Sequence, residues 1–265
     1  TLKILNHVFS LAIITLEAFA GVWINAFIVC VLCIGWVKKK TLNSNEKILL
    51  LLGCSRIYFY CFSWVYSFLY IIYPNYIHLH TELQLITSFQ NFFNYSNLWI
   101  SACLCAFYCI KIANFRNRFF TYLKAKIDKM VPWFLLGSGV LAFAMGINNK
   151  LNITFMLSAV FLLFSLWSHK RKMQTNSMKD LSMEAHIRAM KSILAFLVIY
   201  SMNFVCFTLT IIYIMKNENI IPLLLSICLH AFPGVHSVVL IFSNPKLEKA
   251  LLKILSCVKC EFCIK

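Results

Sequence analysis

Seven apolar segments, each near the length of a bilayer span, fill most of this chain, and Lys and Arg crowd into alternate gaps between them. A helix crossing hydrocarbon needs about 20 mainly apolar residues, and only a helix or a closed barrel satisfies its own backbone there. The segments run over 8–37, 48–73, 83–110, 130–147, 153–168, 192–215 and 220–242. With 61% of 265 residues hydrophobic and 13% charged, too little polar surface remains for a water-soluble domain. We therefore expect an all-α membrane protein, a single domain over residues 1–265 built as a seven-transmembrane helix bundle. No internal repeat or low-complexity run interrupts it.

The basic residues set the orientation. Four lie in 38–47, six in 111–129, six in 170–191 and five in the tail from 246. Cytoplasmic loops carry the excess of Lys and Arg, so Thr1 is expected outside and Lys265 in the cytosol. The net charge of +16 is then a basic cytoplasmic face, suited to anionic lipid and an acidic protein partner, and calls for no nucleic acid.

The twelve cysteines fall in the spans or the tail. As small apolar packing residues they need no disulfide framework, and Cys257-x-x-Cys260 lacks the second pair or His that a zinc set requires. The tail cysteines sit where palmitoylation is the other reading. We expect no metal and no cofactor.

The fifth segment, at 16 residues, makes a helix of about 24 Å, short of the ~30 Å hydrocarbon core. The stretch 147–155 must also supply an outer loop, and the chain begins at Thr1 rather than Met. We expect residues to be missing near Lys150. Asn152-Ile153-Thr154 is a glycosylation triplet on the outer side.

Ionisable groups inside a membrane are costly and mark function more often than surface ones do. Glu17 and Arg56 are two such groups. Arg56 lies about nine residues into its helix, roughly 14 Å deep at 1.5 Å per residue, within side-chain reach of Asn25, His236 and Ser237. A cluster joining the first, second and seventh segments follows. Its simplest role is structural satisfaction of a buried guanidinium; beside Pro233, which removes a helix hydrogen bond, it is also a candidate moving part. Glu17 either faces a ligand vestibule or packs helices. In the third segment Gln90, Asn94 and Asn97 stand among Tyr95 and Trp99, with Gln90 and Asn94 four apart on one face. They line a water-accessible cavity or bond between helices.

Taken in order, these residues resemble a known family. Glu17, Gly21 and Asn25 are followed by Trp36-Val37-Lys38, then Ser55-Arg56, then 107–115 (FYCIKIANF) and 120–124 (FTYLK). Further on come 165–169 (SLWSH), Lys172-Met173-Gln174, Glu184-Ala185-His186, Ala189-Met190-Lys191, and finally Pro233, His236-Ser237 and Asn244-Pro245-Lys246-Leu247. The set resembles the bitter taste receptors, taste receptor type 2, which are seven-helix G-protein-coupled receptors. Neither the Asp-Arg-Tyr nor the Asn-Pro-x-x-Tyr of most rhodopsin-like receptors is present.

The resemblance implies a multi-pass plasma-membrane receptor that binds a small bitter agonist within the bundle and activates a heterotrimeric G protein of the gustducin or inhibitory type, without catalytic residues. It maps the agonist site to Gln90, Asn94, Ser67, Tyr200, Asn203, Phe207 and Ser226. Gln90 stands where the family often has Trp, which removes a stacking platform. Switch residues would be Glu17, Asn25, Arg56, Tyr108, Lys111, His236 and Ser237. The G-protein face would carry Lys124, His169, Lys172, His186 and Lys191. After Pro245, apolar and Lys residues alternate as in an amphipathic helix lying along the inner leaflet, at about 245–258.

A vomeronasal-type chemosensory receptor is the nearest alternative. A small transporter lacks support, since no inverted repeat or pair of Gly- or Pro-broken spans is present. An enzyme would need a nucleophile with its base, a metal set or apposed carboxylates, and none is visible.

Overall fold

The computed structural model describes residues 2–72, 81–112, 118–147, 183–216 and 220–263. Their apolar stretches form helices α1 (Leu2–Lys39), α2 (Ser44–Ile72), α3 (Thr81–Ile112), α4 (Arg118–Ile147), α5 (Met183–Met215), α6 (Ile220–Ser243) and α7 (Pro245–Cys263). Among the described residues there is no strand. The sixth and seventh apolar segments are thus α5 and α6, and α7 is the tail helix. The fifth segment, 153–168, lies outside the described residues.

Among the described residues, five stretches are long and apolar enough to cross a membrane: Val8–Lys39, Ser44–Leu69, Tyr122–Ala144, Ile187–Met215 and Ile220–Ser243. α3, at 32 residues, has the length but not the uniform apolarity. Gln84, Gln90, Asn91, Asn94 and Asn97 dilute it, and of these Asn97 is buried within the bundle. The fourth apolar segment, 130–147, is only the later part of α4, which starts at Arg118. Its first turns carry Lys124, Lys126, Asp128 and Lys129, a polar surface that continues the helix past the apolar limit by which the segment was delimited.

Side chains at the helix ends fix the turns. α1 stops at Lys40, which takes a left-handed φ of 57° while its N–H donates to the Trp36 carbonyl at 2.7 Å. α2 opens with half of a capping box: Glu46 Oε2 accepts from the Asn43 N–H at 3.1 Å, while the Asn43 carbonyl takes the first helical bond from the Lys47 N–H. The other Glu46 oxygen takes Lys246 Nζ at 2.6 Å, tying α2 to α7. Between α6 and α7, buried Asn244 presents Oδ1 to the Lys246 and Leu247 N–H groups with Pro245 in the first helical position, a proline-assisted N-cap.

α1 packs on α2 and α6, α3 lies between α2 and α4, and α5 packs on α6. Near the end of the bundle that carries α7, Ile28, Leu32, Ile48, Leu52, Leu104, Phe107, Ile127, Leu240 and Leu247 interlock as one buried core. Lipid is as apolar as these side chains, so close van der Waals packing rather than escape from water holds them together. The outward faces carry Leu16, Phe19, Trp23, Trp133, Leu136 and Phe143, all largely exposed, as a lipid-facing surface should.

One ring determines how α1, α2 and α6 meet. Tyr60, 1% exposed, lies against Gly21 of α1 and Gly234 of α6, and its hydroxyl donates to the His230 carbonyl at 3.2 Å. Both glycines are required by this close approach, since a Cβ at Gly21 would stand 2.3 Å from the ring and one at Gly234 2.9 Å from the hydroxyl. The expected spacing of Glu17, Gly21 and Asn25 thus has a physical basis at its middle member.

Beyond the N-cap, α7 buries Leu247 and leaves Leu252, Ile254 and Leu255 exposed together with Lys249 and Lys253. Uncovered apolar residues beside lysines are the composition of a helix lying in a membrane interface.

Candidate functional site

Helices α1, α2, α3 and α6 converge on Arg56, which is fully buried. Its guanidinium uses separate nitrogens in separate directions. Nη1 donates to Ser237 Oγ at 2.6 Å; Nη2 donates to His236 Nδ1 at 2.6 Å and to Ser101 Oγ at 3.3 Å. Ser237 passes its own proton to Asn25 Oδ1 at 2.8 Å and shares it with the Pro233 carbonyl at 3.0 Å. Asn25 in turn donates to the Gly21 carbonyl at 2.7 Å. Asn25, Arg56, His236 and Ser237 are therefore in one network, and Ser101 of α3 is added to it.

A guanidinium has only donors, so His236 Nδ1 must accept. That fixes the imidazole as neutral, with its proton on Nε2. No carboxylate pairs with Arg56 among the described residues, and Arg56 Nε has no partner there. A buried charge held only by neutral dipoles is costly, and it persists because the fork geometry satisfies several groups at once. Pro233 has no N–H for the Leu229 carbonyl one turn earlier, so α6 lacks a ladder bond one turn before the Pro233 carbonyl to which Ser237 bonds.

The network continues into α5. Tyr200 donates to Ser101 Oγ at 2.9 Å, lies 3.4 Å from the Asn97 carbonyl, and stands edge-on to His236 with ring centroids 5.6 Å apart. Phe196 packs beside both rings. Asn97 is buried with neither amide atom partnered among the described residues.

A second chain of hydrogen bonds joins α2, α3 and α6 at the level of Tyr60 and beyond. Gln90 Nε2 donates to Ser63 Oγ at 3.1 Å, and Ser63 contacts His230 Nε2 at 2.5 Å. His230 Nδ1 faces the Ser226 carbonyl at 2.7 Å and must donate, so Nε2 accepts from the Ser63 hydroxyl. Around it, Phe62 stacks on Phe89 and Phe93 at 5.3 and 5.6 Å.

Among the remaining expected residues, Ser67 is buried, while Asn203, Phe207 and Ser226 are half-buried. Asn94 is exposed whereas Gln90, one turn away, is half-buried. Glu17 is half-buried with one carboxylate oxygen enclosed and unpartnered among the described residues. Tyr108 packs against the cores on both sides of α3. Lys111 pairs with Asp128 of α4 at 3.4 Å, and its ammonium lies 4.9 Å from the Phe107 ring centroid. Both members of that pair are about half exposed, which limits its contribution to a few tenths of a kcal/mol or so. Lys124 lies on α4 half-buried, Lys191 on α5 exposed, and His186 in the first turn of α5. Asn152, His169 and Lys172 lie outside the described residues.

The sequence did not single out Ser63, Ser101, Tyr60 or His230. Ser101 follows Asn97 by four and shares its face. His230 is a polar residue in an apolar run, the criterion that picked out His236. No group of three metal-binding side chains occurs among the described residues, and the described cysteines are free thiols.

A profile of the taste receptor protein family (TAS2R) matches residues 2–155 and 149–259, so the two matched stretches meet at 149–155. Taste receptor type 2 member 7 of Macaca mulatta is 29% identical over 285 aligned residues, covering 90% of both chains. Taste receptor type 2 member 9 is 30% identical in Papio hamadryas and 29% in Homo sapiens, each over 92% of both chains. The buried Arg56 network, the all-helical bundle and a match along nearly the whole sequence lead to one assignment: the chain belongs to the taste receptor type 2 family (TAS2R), the multi-pass G-protein-coupled bitter taste receptors of the plasma membrane, and is not an enzyme.

Proposed function

We propose that a small bitter molecule binds between α2, α3, α5 and α6 and shifts the Arg56 network, which passes the change to a heterotrimeric G protein of the gustducin or inhibitory type. Tyr200 carries this reading. It shares α5 with Asn203 and Phe207, and its hydroxyl and ring reach Ser101 and His236. An agonist that displaces the Tyr200 ring must therefore disturb two partners of Arg56 at once. A ligand moves the receptor only by its difference in affinity for the two arrangements, and Tyr200 is where that difference arises.

Gln90, Asn94, Ser67, Asn203, Phe207 and Ser226 form the agonist site with Tyr200. Exposed Asn94 meets the ligand first, and half-buried Gln90 senses it through Ser63 and His230. The basic ends face the cytosol, where Lys124, His169, Lys172 and His186 supply charge for the G protein, with Tyr108 and Lys111 behind them. Asn152 is the outer glycosylation site. That the family matches in two stretches overlapping at 149–155 supports the expectation that residues are missing there.

Asn94→Ala and Gln90→Ala are each expected to raise the agonist concentration for half-maximal response about tenfold, the loss of roughly 1.4 kcal/mol of polar contact. The test is calcium recording in cells carrying a gustducin-based chimeric G protein, with a bitter-compound panel and surface expression matched. Unchanged concentration dependence in both variants would move the site away from α3.

A further inference from the structure

Two unlike chemistries meet in one cleft at the α7 end of the bundle. Ile187, Arg188 and Lys191 of α5 form one wall, Val238 and Phe242 of α6 the other, and Glu248 of α7 closes the end; the cleft holds about 470 Å³. Arg188 and Lys191 lie three apart and share a face. Arg188 pairs with Glu248, whereas Lys191 is exposed and makes no ion pair among the described residues. The cleft thus keeps one net positive charge. From it an apolar track leads into the membrane along both helices: Leu194 and Val198 on α5 are 47% and 55% exposed, and Val235 on α6 is 50% exposed.

We propose that this cleft binds one anionic phospholipid from the leaflet that borders the basic helix ends. Its phosphate sits on Lys191 and Arg188, and an acyl chain follows the track between α5 and α6. Charge at the mouth alone would suit any anion, and an apolar groove alone any lipid. A cation at the bilayer boundary followed by an apolar groove open to hydrocarbon selects the molecule that carries both. Lys191 then serves lipid rather than the G-protein face, and the site does not depend on where the agonist binds.

The full chain in phosphatidylcholine nanodiscs, doped with phosphatidylserine bearing a photoactivatable acyl chain, tests this by mapped cross-links. Labelling is expected within 187–202 and 235–243. Lys191→Gln should lower it about fivefold, the value of one cation near a membrane surface, while Lys129→Gln on α4 leaves it unchanged. Glu248→Gln should raise it by removing the carboxylate that competes with the phosphate for Arg188. Lys191→Gln breaks no ion pair seen in the structure, so it keeps the test valid if variants at Arg188 or Glu248 fold poorly. The proposal is overturned by equal labelling from photoactivatable phosphatidylcholine, by labelling insensitive to Lys191→Gln, or by labels spread over the Trp23 and Trp133 faces. Displacement by soluble glycerophosphoserine would also overturn it, in favour of a site for the phosphate alone.

Discussion

Arg56→Ala is expected to abolish agonist-evoked signalling in receptors that still reach the cell surface. Its partners divide unevenly when the guanidinium is removed. Ser237 keeps Asn25 and the Pro233 carbonyl, and Ser101 keeps Tyr200; His236 Nδ1 alone loses its bond. One orphaned buried acceptor costs about 1–3 kcal/mol, and the desolvation of a buried charge is recovered against it. Stability should therefore fall modestly while the guanidinium's own link between α2, α3 and α6 is lost. Arg56→Lys separates charge from geometry, because one ammonium cannot span the positions that Nη1 and Nη2 occupy. It should signal at a small fraction of the parent maximum. Calcium recordings normalised to surface receptor decide the matter, and parental maxima in both variants would show that the network is packing and nothing more.

Gly21→Ala should be the most damaging single-methyl addition in the described part of the bundle. The new Cβ would stand 2.3 Å from Tyr60 ring carbons. The ring is anchored at its tip, since its hydroxyl is bonded to the His230 carbonyl and lies close to Gly234. Overpacking of this kind costs about 1–3 kcal/mol, so the detergent-solubilised receptor should melt several degrees lower and reach the surface in reduced amount. Tyr60→Phe leaves the clash, which is with the ring; Tyr60→Leu in the Gly21→Ala background should recover part of the loss. Gly137→Ala is the matched control, with nothing within 4 Å of its would-be Cβ, and should be neutral or slightly stabilising. Equal melting temperatures for Gly21→Ala and Gly137→Ala would contradict the account of how α1 meets α2.

Membrane spans are legible in sequence because hydrocarbon tolerates so few backbone solutions, and the helices α1, α3, α5 and α6 run over the apolar stretches 8–37, 83–110, 192–215 and 220–242. Helix ends were less legible. α4 runs twelve residues before its apolar segment because nothing in water forbids a helix from continuing as an amphipathic one. The convergence of Asn25, Arg56, His236 and Ser237 could be read from depth alone, since helices in a bundle share a common axis and a long side chain tolerates small errors in register. Tyr200 illustrates the limit. The family resemblance implies a place for it among pocket residues, but the attachment of its hydroxyl to Ser101 depends on helix rotation, which no one-dimensional pattern fixes. His230 was missed for a related reason: a buried imidazole can be satisfied by its own helix, here the Ser226 carbonyl, and its bond to Ser63 appears only when α2 and α6 are side by side.

The most direct measurement is guanine-nucleotide exchange on a gustducin-type G protein by the purified full-length receptor in nanodiscs, titrated with bitter compounds that evoke calcium responses in cells. The account predicts exchange that rises with agonist, needs more agonist in Asn94→Ala, and is absent in Arg56→Ala at equal receptor content. Exchange that ignores agonist, or that survives intact in Arg56→Ala, would contradict the claim that the buried guanidinium couples a ligand to the cytoplasmic face.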